Sequence, residues 1–175
     1  MRKLISGAAL ILALSLAGCG TSNDKEEPKQ DKEETSSVEK TSANNDKIYQ
    51  DYIKEVSPIM EEIYNFGVEW DELRQQSTDG TLNDQDLSNI IANELLPKNM
   101  QLVEQVESLD VDNELVDTHE KLIDMLNKQN SALSEIASAI DTNDLSKITG
   151  ANEYLSEVRK IEREYVRELE KHIEQ

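Results

Sequence analysis

The amino-acid sequence predicts an all-α protein, an antiparallel up-down four-helix bundle over residues 47–175 that follows a signal peptide (1–18) and a disordered linker (19–46). Two observations predict the bundle. Past Asp46 the apolar residues recur at alternating steps of three and four, the period at which a helix lays one stripe against its neighbours. Turn and capping signals cut that pattern into four segments, and nothing in it alternates in the manner of a strand. A third observation sets the bundle apart from what precedes it: between residues 20 and 46 only Val38 and Ala43 are hydrophobic.

Arg2 and Lys3 make a short basic start, Leu4 to Leu16 is a largely apolar run, and the small residues Ala17 and Gly18 close it, the three-part layout of an export signal. A helix over residues 4–18 would reach about 22 Å, short of a hydrocarbon core of roughly 30 Å. The segment therefore reads as a signal peptide and not as a membrane span.

The one cysteine of the chain, Cys19, comes next. Leu16, Ala17, Gly18 and Cys19 resemble the processing site of bacterial lipoproteins. That resemblance implies that signal peptidase II recognises Leu16, Ala17 and Gly18 and cuts before Cys19. It further implies that the Cys19 thiol carries diacylglycerol and that acyl chains such as palmitate hold the new N-terminus in the cell membrane. Two acyl chains at about 0.8 kcal/mol per buried CH₂ anchor a protein durably where one does not. The expected location is the outer face of the cell membrane, extracytoplasmic and lipid-anchored, with the bilayer itself as a partner. Lys-, Asn- and Glu-rich usage and the long polar spacer resemble Gram-positive lipoproteins. With its thiol taken by lipid, the mature chain has no disulfide and no cysteine metal site.

Residues 20–46 cannot bury enough apolar surface to offset their ordering entropy, so they read as a disordered tether. At roughly 5–6 Å × √n, such a segment holds the body on the order of 30 Å from the lipid.

The first helix is expected at about 48–77, with Tyr49, Tyr52, Val56, Ile59, Ile63, Phe66, Trp70 and Leu73 on its stripe. Pro58 predicts either a kink or a new start capped by Ser57. Asp79-Gly80 signals a turn, and Asn83 followed by Asp84 and Asp86 predicts an N-cap with acids in the first turn. The second helix carries Leu87, Ile90, Ile91, Leu95, Leu96, Met100, Val103, Val106 and Leu109, with a kink at Pro97. Asp112 is the expected cap of the third, with Val111 stapled onto Val116 and Leu115, His119, Leu122, Leu126, Gln129, Leu133, Ile136 and Ile140 facing inward. Asn143 is expected to open the last helix, whose stripe is Leu145, Ile148, Leu155, Val158, Ile161, Tyr165 and Leu169, with Gly150 a weak point. Four such helices on short loops pack antiparallel around one core roughly 40 Å long. The competing architecture is a pair of hairpins that closes by dimerising as a coiled coil.

The full chain carries a formal charge of −19, and residues 47–175 hold twelve basic against twenty-nine acidic side chains, a formal −17. A body so acidic repels nucleic acid, teichoic acid and anionic head groups. Against this field, Arg159, Lys160, Arg163, Arg167 and Lys171 gather five of those twelve basic residues into a stripe along the last helix. The plain reading is a solvated face with pairs such as Lys160–Glu164. The sharper one is a docking strip for an acidic protein partner.

Catalytic and metal constellations are missing from the pattern. Neither His119 nor His172 has a Glu three residues before it, as a di-metal bundle requires, and His119 on an apolar stripe reads as a hydrogen-bonded core residue. His172 follows Glu168 by four, a spacing compatible with a carboxylate–imidazole pair, but at the end of a charged helix it reads as a surface residue. The acids around Gly80 do not follow a calcium-loop spacing. No serine has a nucleophile-elbow context and no glycine-rich loop could cradle phosphate. The expectation is a non-enzymatic lipoprotein without cofactor or metal whose body serves as a protein-interaction or accessory module. The alternatives are a small-ligand or cation-binding lipoprotein and a structural or phage-exclusion (immunity) lipoprotein.

Overall fold

The computed structural model describes residues 34–173, with side chains from residue 46 onward; Leu16, Ala17, Gly18, Cys19 and the rest of the expected signal peptide and early linker lie outside the described residues. All the regular structure is helical, arranged as four rods, and no strand occurs among the described residues.

The first rod is α1 (Glu34–Thr78). It starts well before the expected residue 48, so the part of the linker from 34 to 46 is helical backbone. Helix nucleation is the costly step and propagation is cheap, which lets a helix pinned by its apolar half extend into a polar segment. The predicted stripe is the buried one: Tyr49, Tyr52, Val56, Ile59, Phe66 and Trp70 are in the core, with Ile63 and Leu73 partly buried against it. Pro58 does not restart the helix. It sits exposed inside a continuous α1, and Ser57, the expected cap, donates its hydroxyl to the Ile53 carbonyl.

α1 ends in a reversal that only a few residue types allow. Gly80 adopts φ +72°, the Gly80 N–H reaches Ser77 O at 3.2 Å and the Thr81 N–H reaches Gln76 O at 2.9 Å. Those two bonds form a Schellman cap with glycine at its left-handed position. Asn83 then caps the next helix as expected, its Oδ1 accepting from the Asp86 N–H at 2.9 Å.

The second rod is α2 (Asp84–Ile90), a π turn (Ile91–Leu95) and α3 (Leu96–Glu107) in unbroken succession. Pro97 has no N–H and its ring crowds the carbonyl four residues back. The chain meets this with a wide turn just before the proline, in which the Leu96 N–H bonds Ile91 O. The wide turn rotates the following stripe by about one position. Asn99 is fully buried where Met100 was expected, Met100 is 56% exposed and Leu96 is only partly buried; Ile90, ahead of the turn, is also partly buried.

A 3-10 turn (Asn113–Leu115) leads into the third rod, α4 (Val116–Thr142). The Asp112 side chain makes no capping bond; its backbone carbonyl accepts from the Leu115 N–H instead. Val116 is exposed, so Leu115 supplies the anchor to the core that the Val111–Val116 staple was expected to give. Leu122, Leu126 and Leu133 are buried as predicted, joined by Met125, Ala132, Ala137 and Ala139; Gln129, Ile136 and Ile140 are partly buried.

Asn143 ends α4 and does not open the last helix. It takes the left-handed conformation (φ 51°), and the Asp144 N–H reaches back to Ala139 O at 3.0 Å. Asparagine tolerates this region better than most residues. Asp144 is the cap: its Oδ1 accepts from the Ser146 N–H at 3.1 Å and the Ser146 hydroxyl at 2.6 Å, which holds its carboxyl below the ordinary aspartate range. The fourth rod is α5 (Ser146–Glu170), and Leu145, now before it, is 77% exposed. The α4 and α5 pair is the most extensively packed. Small buried residues, Ala132, Ala137 and Ala139 on one helix and Ala151 on the other, suit a close approach of two backbones.

Between rods, Glu69 pairs with Lys98 and Glu62 with Gln105, linking α1 to α3. Ser88 donates to Asp141 at 2.7 Å and Asn99 to the Leu126 carbonyl at 2.9 Å, linking the second rod to α4. Lys128 pairs with Glu157 at 2.7 Å and Lys147 donates to Ser138, linking α4 to α5. The Glu157 carboxylate raises the Lys128 ammonium above its usual range.

Candidate functional site

The residues singled out for partner binding lie on one side of α5. Arg159, Lys160, Arg163, Arg167 and Lys171 are all exposed. Steps of four carry Arg159, Arg163 and Arg167 around the helix by only about 40° each, so they form a continuous strip opposite buried Tyr165. Lys160 lies 3.9 Å from Glu164, a loose contact, and Lys171 bonds Glu168 at 2.7 Å, which lowers the Glu168 carboxyl from its ordinary range. Arg159, Arg163 and Arg167 form no ion pair among the described residues. Arg163 and Arg167 border a shallow depression of about 340 Å³ with Glu162, Val166 and Glu170. Val166, an exposed apolar side chain, lines the same depression. Chemically, the strip offers three planar five-donor forks beside an apolar contact point, which suits carboxylates presented on a protein surface.

A second constellation closes one end of the bundle. The Tyr52 hydroxyl stands 3.1 Å from the Tyr165 hydroxyl and 3.3 Å from His119 Nδ1. Tyr165 is wholly buried and His119 nearly so. Burial pushes both phenols up and the imidazole down, so all three groups are neutral near pH 7. Next to this chain, Tyr49 reaches Thr118 at 3.4 Å and its ring stacks on His172 with centroids 3.7 Å apart. His172 Nδ1 bonds Asp46 at 2.9 Å, and both side chains are largely shielded. His172 is therefore not the surface residue expected: it pairs with Asp46, while Glu168 is bonded by Lys171. Asp46, read as the end of the linker, is tied to the far end of α5.

The sequence placed Tyr49, Tyr52, His119 and Tyr165 on inward stripes, and they are inward. It could not place them at one height, because periodicity gives the face of a helix and not its longitudinal offset from another. Of the other aromatics on α1, Tyr64 is 71% exposed while Trp70 is in the core. The acids near Gly80 are engaged locally, Asp79 accepting from Gln75 at 3.0 Å and Asp86 from Asn83. Among the described residues no three His, Cys, Asp or Glu side chains converge on a metal-sized site, and no helix is long and apolar enough to cross a membrane.

Two shielded side-chain acceptors without a donor are not signalled by the sequence pattern. Asn99, fully enclosed, leaves its Oδ1 without a donor, and the Asn130 Oδ1 on α4 is likewise shielded and unpartnered. Gln129, the polar residue expected on the α4 seam, is one position away and partly buried. The π turn that brings Asn99 inward was the missing signal, and Pro97 was its only trace in the sequence. Comparison of the chain with protein-family models, with curated proteins and with solved structures finds no match.

Proposed function

We propose that this chain is a lipoprotein held by Cys19 on the outer face of the cell membrane, and that its helical body is a non-enzymatic module that docks an acidic protein partner along α5. The observation that carries the docking reading is the strip itself. Arg159, Arg163 and Arg167 stay exposed and form no ion pair among the described residues, although twenty-nine acidic side chains share the same body. Arginines in so acidic a setting are attracted to carboxylates, and three that stay out of such pairs are available to a partner. The anchor rests on Leu16, Ala17, Gly18 and Cys19 together with the basic and apolar run before them.

The body in this proposal is an antiparallel up-down bundle. Its cross-helix partners support that arrangement: Glu62 and Glu69 face Gln105 and Lys98, Ser88 and Asn99 face Asp141 and Leu126, and Lys128 and Ser138 face Glu157 and Lys147. In each set one number rises as the other falls. The Tyr52–Tyr165 and Asp46–His172 pairs run the same way between α1 and α5.

Detergent-phase partitioning tests the anchor: Cys19→Ala should leave the detergent phase, and unchanged partitioning would refute lipidation. Affinity purification from solubilised membranes tests the module, comparing the native chain with an Arg159→Glu/Arg163→Glu/Arg167→Glu variant. A specific protein recovered with the native chain and lost with the variant is the expected result. The same recovery from both would refute docking on α5.

A further inference from the structure

On the side of α4 that meets α3 runs a groove of about 440 Å³. Leu96, Met100 and Val103 supply its apolar lining, Glu104 and Glu107 its charge, and Asn130 comes from the α4 side. No Lys, Arg or His is among the lining residues, and neither glutamate forms an ion pair among the described residues. Met100, an unbranched and adaptable side chain, is 56% exposed there.

Three features point the same way. The groove has the volume of a small-molecule site and a mainly apolar wall. Its charged groups are carboxylates. The polar atoms left over at this seam, Asn130 Oδ1 and the neighbouring Asn99 Oδ1, are both acceptors without donors. A shielded acceptor without a donor is unfavourable, and a guest that supplies donors relieves it. Asn130 lines the groove, and rotation of its amide about a soft terminal torsion is what would turn that oxygen toward a guest. The π turn immediately before Leu96 is the kind of helix irregularity that often accompanies a binding site.

We propose that the α3/α4 groove binds a small soluble organic ammonium, its apolar tail on Leu96, Met100 and Val103 and its N–H donors shared between the Glu104 and Glu107 carboxylates and Asn130 Oδ1. The site is separate from the arginine strip on α5 and does not depend on it.

The test is an NMR titration of the purified full chain with n-butylammonium, following the side-chain amides of Asn99 and Asn130, with n-butanol and butanoate as controls. Saturable shifts are expected for butylammonium, with affinity at least tenfold weaker for both controls. The double variant Glu104→Gln/Glu107→Gln changes only exposed groups and should weaken binding about tenfold or more. Asn130→Leu should do the same while keeping native helicity. Equal responses to butanol and butylammonium, or butylammonium binding unchanged by Glu104→Gln/Glu107→Gln, would overturn the proposal.

Discussion

The hydroxyl of Tyr52 is the middle member of the buried chain Tyr165–Tyr52–His119, and removing it should cost more than removing either end. In one proton order Tyr165 donates to Tyr52 and Tyr52 donates to Nδ1 of neutral His119. The reverse order, from an Nδ1–H tautomer, keeps both contacts but leaves the hydrogen of the buried Tyr165 hydroxyl without an acceptor. In both, Tyr52 is donor and acceptor at once. Tyr165→Phe removes one terminal hydroxyl and leaves the Tyr52–His119 contact intact, a loss of about 1 kcal/mol. Tyr52→Phe strands two groups in the interior, His119 Nδ1 and the Tyr165 hydroxyl, at roughly 1–3 kcal/mol each, for a total of about 2–6 kcal/mol. In a body of this size each kcal/mol moves the melting temperature by roughly 3–5 °C. Urea and thermal unfolding followed by circular dichroism reads the difference. The double variant Tyr52→Phe/Tyr165→Phe should be no less stable than Tyr52→Phe alone, because the phenol stranded by the first substitution is deleted by the second. Equal losses for the two single variants, or additive losses in the double, would refute a shared network with Tyr52 at its centre.

Burial lowers the His119 pKa, so the unfolded chain takes up this proton first as pH falls. The His119 contribution is complete above the unfolded value of about 6.5 and declines as pH falls below it. His119→Gln should therefore flatten the stability profile just below about pH 6.5 relative to the native chain, and parallel profiles would count against a neutral buried imidazole. Gly67 and Gly150 lie inside helices, and a Cβ at either meets nothing within 4 Å. Gly67→Ala and Gly150→Ala should each stabilise by about 0.5–1 kcal/mol in urea unfolding, and a destabilisation would mean that the space or the helical backbone is misjudged. Leu126 is fully buried while Leu145 is 77% exposed. Leu126→Ala should cost about 2–5 kcal/mol and Leu145→Ala less than about 0.5, and similar losses would place the core face wrongly. Asn83→Ala removes the side-chain acceptor for the Asp86 N–H and should cost about 1 kcal/mol; an unchanged urea midpoint would contradict that cap.

Much of the fold was legible because helical periodicity survives wherever the helix is regular. The α1 stripe from Tyr49 to Leu73 and the leucines of α4 follow it throughout. Legibility failed where the backbone departs from that period or where two residue types compete for one role. Pro97 announced a disturbance but not its form, and a π turn rotates the stripe where a kink would bend the rod. Asn143 and Asp144 are both good caps, and which ends α4 and which starts α5 depends on the one left-handed residue, a choice made by the whole turn. The start of α1 was missed because residues 34–46 carry no apolar stripe, and helix there is extended from the packed portion. For the basic strip the sequence supplied membership and face, since both follow from steps of four. It could not say which of the five charges would be neutralised, because Glu164 and Glu168 are as close in sequence to the arginines as to the lysines they meet.

The most direct measurement of the central claim is site-specific photo-cross-linking in intact cells, with a photoreactive residue at position 163 in the α5 strip and, as a control, at exposed position 72 on α1. The account predicts a discrete protein adduct from position 163 that disappears when Arg159 and Arg167 become glutamate, with no such adduct from position 72. No adduct from position 163, or the same adduct from both positions, would contradict α5 as the docking surface of this chain.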